Sequence, residues 1–462
     1  MNAIIISGVW GVAMMLGGVL FRRSHTTVLI AIAGMILLLA GNLMEFFSTP
    51  LFSFDGFEML KVSSFGLHFN TIAFFGTLLI FLLNGKDIEN LGNHSAEYFS
   101  LIFFSLCGVS VATSYNTLLT LFLGIELMVV PLYFLVGSDN RNLKGIEASL
   151  KMFLTGAFFS AIILMGIALI YGGNSLGSMY ITFISLGKVD VNPMIMTGMV
   201  LLLAGMAFKV SAAPFHFWAP DVYDGTPTVV SSFLSAVVQV GAFIAFYKLF
   251  STTFGQIKPQ WQTLLVTVAV LSMVIGNVTA IFQQSIKRML AYAVIAQSGF
   301  LLLGLISFSD VGREGVVLFI GSYALGMIGM FAVISRLPDY TIDGFSGLGK
   351  LNPGVALFTT IFLLSLTGIP LTAGFLGKLY LLLGLAAGQG WGWLIILASI
   401  SMAVSAVYYF RIIRAMYFRE PVHPVEGVPE MRVSFRWLLG IIAAILILLG
   451  LVPDILTSWI YY

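Results

Sequence analysis

Three ionisable residues stand where the surrounding sequence is otherwise apolar. Glu126 lies in Leu123-Gly124-Ile125-Glu126-Leu127-Met128, Lys209 in Gly205-Met206-Ala207-Phe208-Lys209-Val210, and Lys378 closes Gly374-Phe375-Leu376-Gly377-Lys378. A charge at the centre of a spanning helix costs about 2.5–3.5 kcal/mol on insertion scales. Such residues therefore turn inward and usually carry function. One acid and one base in neighbouring helices suggest an ion pair in which each offsets the other's desolvation. The pair can also handle a proton, because burial favours the neutral amine whereas a nearby carboxylate favours the ammonium. A change in Glu126–Lys209 separation would then move Lys209 between holding and releasing a proton. The alternative is a static pair that fixes helix packing, and these residues alone leave both readings open.

Each lysine shares its helix with a proline. Pro214 removes the hydrogen bond to the carbonyl of Val210, the residue next to Lys209, and Pro370 frees the carbonyl of Leu366 in the same way. Non-helical backbone at membrane depth is tolerated only when buried in protein or lining a wet cavity. A lone proline kink is most often structural; two, each with a buried lysine, point to function. Lys378 lies eight residues past Pro370, about 12 Å at ~1.5 Å per residue, which makes it a candidate last station on the outer side.

The composition says what must position these groups. Of 462 residues, 59% are hydrophobic and only 9% charged, against roughly 25% in soluble domains, so a stand-alone soluble enzyme is excluded. The 40 Phe and 48 Gly suit lipid-facing helices packed closely through small residues. Cys107 is the only cysteine, so the chain can form no internal disulfide and no thiolate-held iron–sulfur cluster. His25, His68, His94, His216 and His423 are scattered, with no pair at metal-ligand spacing. Gly347-Leu348-Gly349-Lys350 lacks the third glycine of a dinucleotide fingerprint and sits in a connector. No cofactor, metal or nucleic acid is expected on this chain, and any redox chemistry takes place elsewhere.

Apolar windows long enough to cross a bilayer fall near 3–21, 27–47, 67–84, 97–114, 115–137, 149–172, 194–218, 226–250, 261–282, 288–307, 315–335, 354–386, 391–412 and 435–457. The expected fold is an all-α membrane protein of about fourteen transmembrane helices. The first window precedes Arg22-Arg23, the reverse of a signal peptide, and is read as a permanent span. Basic residues divide fourteen to four in favour of connectors that follow odd-numbered helices. The positive-inside rule then puts those connectors in the cytoplasm and both termini outside, on the periplasmic side of a bacterial inner membrane. Within the spans, Lys248 lies near the outer end of helix 8, where it can snorkel, and Lys151 just inside the cytoplasmic end of helix 6. Helices 7 and 12 carry the prolines. They are five spans apart and so run oppositely, as expected of two inverted five-helix repeats, helices 4–8 and 9–13. The chain then divides into a three-helix segment (1–96), a first repeat (97–250), a second repeat (251–414) and a C-terminal helix (415–462).

At these same residues the sequence resembles the antiporter-like membrane subunits of respiratory complex I, and within them the N-type branch. The most specific stretch runs from Phe208-Lys209 through Pro214, His216, Pro220-Asp221 and Asp224 to Pro227. Gly124-Ile125-Glu126-Leu127 with Pro131-Leu132-Tyr133, Ile286-Lys287-Arg288-Met289-Leu290-Ala291-Tyr292, and Gly368 to Lys378 agree with it, as do Glu147 and Lys151. The resemblance covers nearly the whole chain, and the short length favours the N-type over the larger L-type. It implies a module of a proton-pumping NADH:quinone oxidoreductase, a translocase whose NAD, FMN, iron–sulfur clusters and quinone belong to partner subunits. This chain would carry protons along a buried polar axis in the lipid bilayer beside other membrane subunits. Glu126 and Lys209 would be the controlling pair and Lys378 the outer relay, with Lys151, Glu147 and His216 supporting proton entry or transfer. His216 could equally cap backbone groups freed beside Pro214, and Asp221 and Asp224 are expected to shape the turn into helix 8.

Two positions depart from the family. Helix 8 usually carries a central lysine, where this chain has Gln239, and helix 10 often a histidine, where it has Gln297. Glutamine donates and accepts hydrogen bonds but stores no proton, so the path there would run through water held by the amides or bypass them. The two glutamines favour a non-conducting scaffold as one alternative, which the intact Glu126, Lys209 and Lys378 oppose. A subunit of a multi-subunit cation/proton antiporter is the other; co-purification with redox subunits, as against sodium-dependent proton exchange in vesicles, separates it from the leading reading. Gln239→Lys is expected to leave assembly and NADH-driven pumping intact, measured as acidification of membrane vesicles; loss of either would give the amide a role of its own.

Overall fold

The computed structural model describes residues 1–20, 24–47, 49–52, 58–90, 95–139, 141–173, 192–421 and 431–458. Arg22, Arg23, His94, Lys188, His423 and the side chain of His25 lie outside the described residues. Among those described, the elements are helical, with isolated β-bridges at Leu60–Tyr115 and Ser285–Thr341. The helices are α1 (Asn2–Leu20), α2 (Ser24–Phe46), α3 (Ser64–Asn90), α4 (Ser95–Ser114), α5 (Leu118–Val136), α6 (Leu143–Gly173), α7a (Pro193–Lys209) and α7b (Ala219–Gly225). They continue as α8 (Thr228–Thr253), α9 (Lys258–Ile281), α10 (Ile286–Ser307), α11 (Asp310–Ile334), α12a (Pro353–Thr367), α12b (Ala373–Ala386), α13 (Gly392–Phe418) and α14 (Val433–Leu451). Eleven of the described helices are long and apolar enough to cross a membrane, and shorter apolar helices cover Asn2–Gly18, α7a, α12a and α12b.

Local chemistry sets where these helices start and stop. The Thr117 hydroxyl accepts from Thr120 N at 3.1 Å, and the Thr120 hydroxyl from Thr117 N at 3.1 Å, a reciprocal box that opens α5. Asn192 caps α7a by accepting from Ile195 N at 2.9 Å, with Pro193 at the first helical position. The windows at 194–218 and 354–386 are interrupted over more residues than a proline kink requires. Helix α7a ends at Lys209, and the turns that follow last until Ala219; α12a ends at Thr367, and α12b starts at Ala373. Gly368 makes the second stop possible, because its φ of +87° is open to glycine at little steric cost. Helix α8 contains a π-turn, Leu234–Val238, directly before Gln239.

Contacts divide the chain into two compact units. One comprises Met1–Val210, Gly225–Val230 and Val237–Leu265; the other comprises Ser211–Asp224, Ser231–Ala236 and Val266–Tyr462. In the first, α4 packs on α5 and α1, and α6 packs along α7a. In the second, α12b packs on α10 and α11, while α12a lies against α11, α13 and α14. Helices α6 and α7a approach almost backbone to backbone at two facing glycines. A Cβ on Gly198 would sit 2.7 Å from the Gly166 carbonyl, and one on Gly166 would sit 2.8 Å from that of Gly198. That crossing holds Lys209 against α6.

Gly198→Val must therefore push α7a away from α6, at about 1–3 kcal/mol for overpacking. Cys107, the sole cysteine, is buried in the same unit, so heat-induced labelling of its thiol reports unfolding. The expected result is a labelling midpoint several degrees lower than that of the unaltered chain, and an unchanged midpoint would contradict the close crossing.

Candidate functional site

Three helices of the first unit bring Glu126, Ser160 and Lys209 together. Glu126 comes from α5, Ser160 from α6, and Lys209 is the last residue of α7a. The Lys209 ammonium lies 3.4 Å from Glu126 Oε1 and donates to Ser160 Oγ at 3.1 Å. Ser160 in turn donates to Glu126 Oε1 at 2.5 Å. The Lys209 side chain is 3% exposed and that of Glu126 24%, so the cation is sealed and the carboxylate only partly so. A charge-assisted N–H···O bond is usually about 2.7–2.9 Å; at 3.4 Å the ion pair is loose, and the serine closes the triangle. The rings of Phe159 and Phe208, each one residue before a member of the triangle, stack at 4.1 Å and 10°.

Glu147 and Lys151, expected to support proton entry or transfer, lie apart from the triangle. Glu147 and Lys151 bind each other at 2.7 Å, one turn apart on α6, with side chains 64% and 44% exposed. Lys151 precedes Ser160 by nine residues, about 13 Å along the helix, so the two are not brought to the triangle. The Lys248 ammonium donates to the carbonyls of Thr113 at 3.2 Å and Tyr115 at 2.6 Å, over the Tyr115 ring. Acceptors at the end of α4 hold it there.

The carbonyls at the two breaks have side-chain donors. Gln239 Nε2 donates to the Val210 carbonyl at 2.6 Å. In the second unit, Gln297 Nε2 donates to the Leu366 carbonyl at 3.1 Å. Lys378 Nζ donates to the same carbonyl at 2.9 Å and to that of Thr367 at 3.0 Å. Lys378 is wholly buried, its ammonium 4.8 Å from the Phe300 ring centroid and 5.7 Å from that of Phe319.

This corrects the expected position of Lys378. Counting ~1.5 Å per residue along an unbroken helix set it about 12 Å beyond Pro370, yet its ammonium rests on the last turn of α12a. Residues 368–372 are not helical, so a count along one continuous helix does not apply across them. Helical side chains also tilt toward their own N-terminus, and so Lys378 reaches back into the break.

His216 lies within the first break, half-buried. Its carbonyl accepts from Ala219 N at 3.0 Å at the start of α7b, while its ring Nδ1 is buried without a partner among the described residues. Asp221 and Asp224 do more than shape a turn. Asp221 pairs with Arg288 at 3.3 Å, and Asp224 accepts from Ser285, the N-cap of α10, at 2.6 Å. Both fasten α7b to the start of α10. Ser160 is the site residue the sequence reading missed, together with the backbone acceptors and the Phe300 and Phe319 faces. A lone serine after Phe158-Phe159 gave no signal, since serine is common at helix–helix contacts in membranes.

Residues 115–405 match the family model described as NADH:quinone oxidoreductase/Mrp antiporter, TM. The chain is 34% identical to NADH-quinone oxidoreductase subunit N of Cytophaga hutchinsonii, over 99% of this chain and 98% of that protein. It is 38% identical to the subunit of the same name from Trichlorobacter lovleyi, over 78% and 76%. Among solved structures it is similar to a chain of respiratory complex I from Thermus thermophilus with bound aureothin, at TM-score 0.84 and 30% identity, covering 99% of this chain and 98% of that one. A chain of the Mrp complex from Dietzia sp. shares the fold at TM-score 0.85 and 19% identity, covering 99% and 95%.

Ser160→Ala removes a donor to Glu126 and an acceptor for Lys209, and hydrogen bonds to charged groups contribute about 1.5–3 kcal/mol. The variant is expected to unfold at lower temperature in detergent, whereas Ser160→Thr, which keeps the hydroxyl, stays close to the parent. Equal midpoints for all three would show that the serine does not hold the triangle.

Proposed function

The chain belongs to the NADH:quinone oxidoreductase/Mrp antiporter membrane family, and on that premise we propose that it is the N-type, proton-carrying membrane subunit of an NADH:quinone oxidoreductase. The observation that carries this reading is the sealed Lys209 ammonium, 3.4 Å from Glu126 and 3.1 Å from Ser160, at the end of an interrupted helix. While the carboxylate stays close, the lysine keeps its proton. When the two separate, the buried cation loses its compensating charge and gives the proton up. The Ser160 hydroxyl bonds to both groups and holds them in register between those states. Lys378 is the corresponding carrier at the second break, where carbonyls and ring faces take the place of a carboxylate.

Several finer features belong to the same proposal. The eleven long helices, with α1, the interrupted α7 and the interrupted α12, support fourteen spans. A lysine at each interruption supports inverted repeats over 97–250 and 251–414, flanked by a segment at 1–96 and a last helix in 415–462. The chain would lie in a bacterial inner membrane with both termini on the periplasmic side, against other membrane subunits. Electron transfer and its NAD, FMN, iron–sulfur clusters and quinone are assigned to partners. Each proton moved works against ~2.3 kcal/mol per 100 mV, so the driving energy must come from them.

Lys209→Ala in the assembled complex tests the proposal through NADH-driven acidification of proteoliposomes, with oxidation rate and assembly followed in parallel. Pumping should fall at least about tenfold, in keeping with the loss of a positioned proton-transfer group. Full pumping by the variant would overturn the reading and leave a scaffold subunit.

A further inference from the structure

We propose that Gln297 is a positioning residue for Lys378: its amide is the second donor on the Leu366 carbonyl, so the lysine can leave the break without stranding that oxygen. The inference rests on the reading of Lys378 as a proton carrier and adds how one of the two carbonyls it would leave, that of Leu366, keeps a donor.

A carbonyl oxygen has two lone pairs, and at Leu366 two donors are present, Gln297 Nε2 at 3.1 Å and Lys378 Nζ at 2.9 Å. Leu366 lies in the last turn of α12a, where carbonyls have no helical donor. The residues around it are buried, with Leu366 at 2%, Gln297 at 2% and Lys378 at 0% exposure. With the lysine as sole donor, each withdrawal would leave a buried carbonyl unpaired, and that penalty would resist every proton-transfer cycle. The amide remains in place whatever the charge on the lysine, because glutamine does not titrate. A histidine there could change its own protonation; glutamine is a constant donor.

The first unit contains the other half of the comparison. There too a glutamine amide holds a carbonyl at the break, Gln239 on Val210 at 2.6 Å, while the neighbouring Lys209 bonds to Glu126 and Ser160. The chain thus holds one break with its lysine off the carbonyl and one with its lysine on it. An amide is present at both.

Gln297→Met keeps the side-chain length and removes the donor, whereas Gln297→His restores one. Both are to be compared with Lys378→Met in the complete complex, reading protons pumped per NADH oxidised in proteoliposomes. Gln297→Met should lower pumping about tenfold, the factor equivalent to ~1.4 kcal/mol, and Gln297→His should recover most of it. If Gln297→Met does not assemble, Gln297→Asn, whose amide is one methylene too short, carries the same expectation. Full pumping by Gln297→Met or Gln297→Asn while Lys378→Met is impaired would overturn this proposal alone, as would losses in Gln297→His as large as in Gln297→Met. Full pumping by Lys378→Met would instead overturn the reading of Lys378 as a carrier.

Discussion

A peptide carbonyl inside a bilayer has no water to bond, and each interruption of a spanning helix frees several at once. Irregular backbone survives at that depth only if protein or trapped water supplies donors. In this chain backbone N–H groups serve some of them, such as Leu364 and His216, and side chains serve others. Gln239 serves Val210, Gln297 and Lys378 serve Leu366, Lys378 also serves Thr367, and Lys248 serves the end of α4. The interrupted helices and the buried polar residues are therefore one arrangement, since neither is tolerable in hydrocarbon without the other.

The two lysines at the breaks are compensated differently. Lys209 has a carboxylate, partly exposed, and a hydroxyl. Lys378 has two carbonyls at the C-terminal end of α12a and the faces of two phenylalanines. Those carbonyls carry the negative end of the helix dipole, and aromatic faces attract cations, so an ammonium is held without a formal counter-charge. A carboxylate can hold or release a cation according to its distance. Dipoles fixed in a helix end offer a steadier hold, and leaving them requires another donor for the oxygens left behind.

The sequence made the charged residues legible because charge is rare in it. Glu126 and Lys209 stand out from apolar neighbours, and the structure places them in contact. The prolines identified which carbonyls would be freed, Val210 and Leu366, but not which donors would take them. Those depend on α8 and α10, far away along the chain. Ser160 was invisible because one hydroxyl in an apolar helix has no characteristic spacing. Lys378 was misplaced because counting residues assumes a continuous helix, whereas Gly368 ends α12a and the chain restarts at Ala373. Glu147 and Lys151 entered through the family resemblance, and the structure pairs them with each other one turn apart on α6. Asp221 and Asp224 looked like turn residues because their partners, Arg288 and Ser285, are remote in sequence.

The central claim is that Glu126 and Lys209 act on a proton as one unit. A double-mutant cycle on pumping by the assembled complex tests this most directly, using Glu126→Gln, Lys209→Met and the two together. A unit predicts that the double variant pumps no worse than the poorer single one, because each substitution already abolishes what the other would remove. Losses that multiply across the two positions would mean that the residues work independently, and would contradict the account.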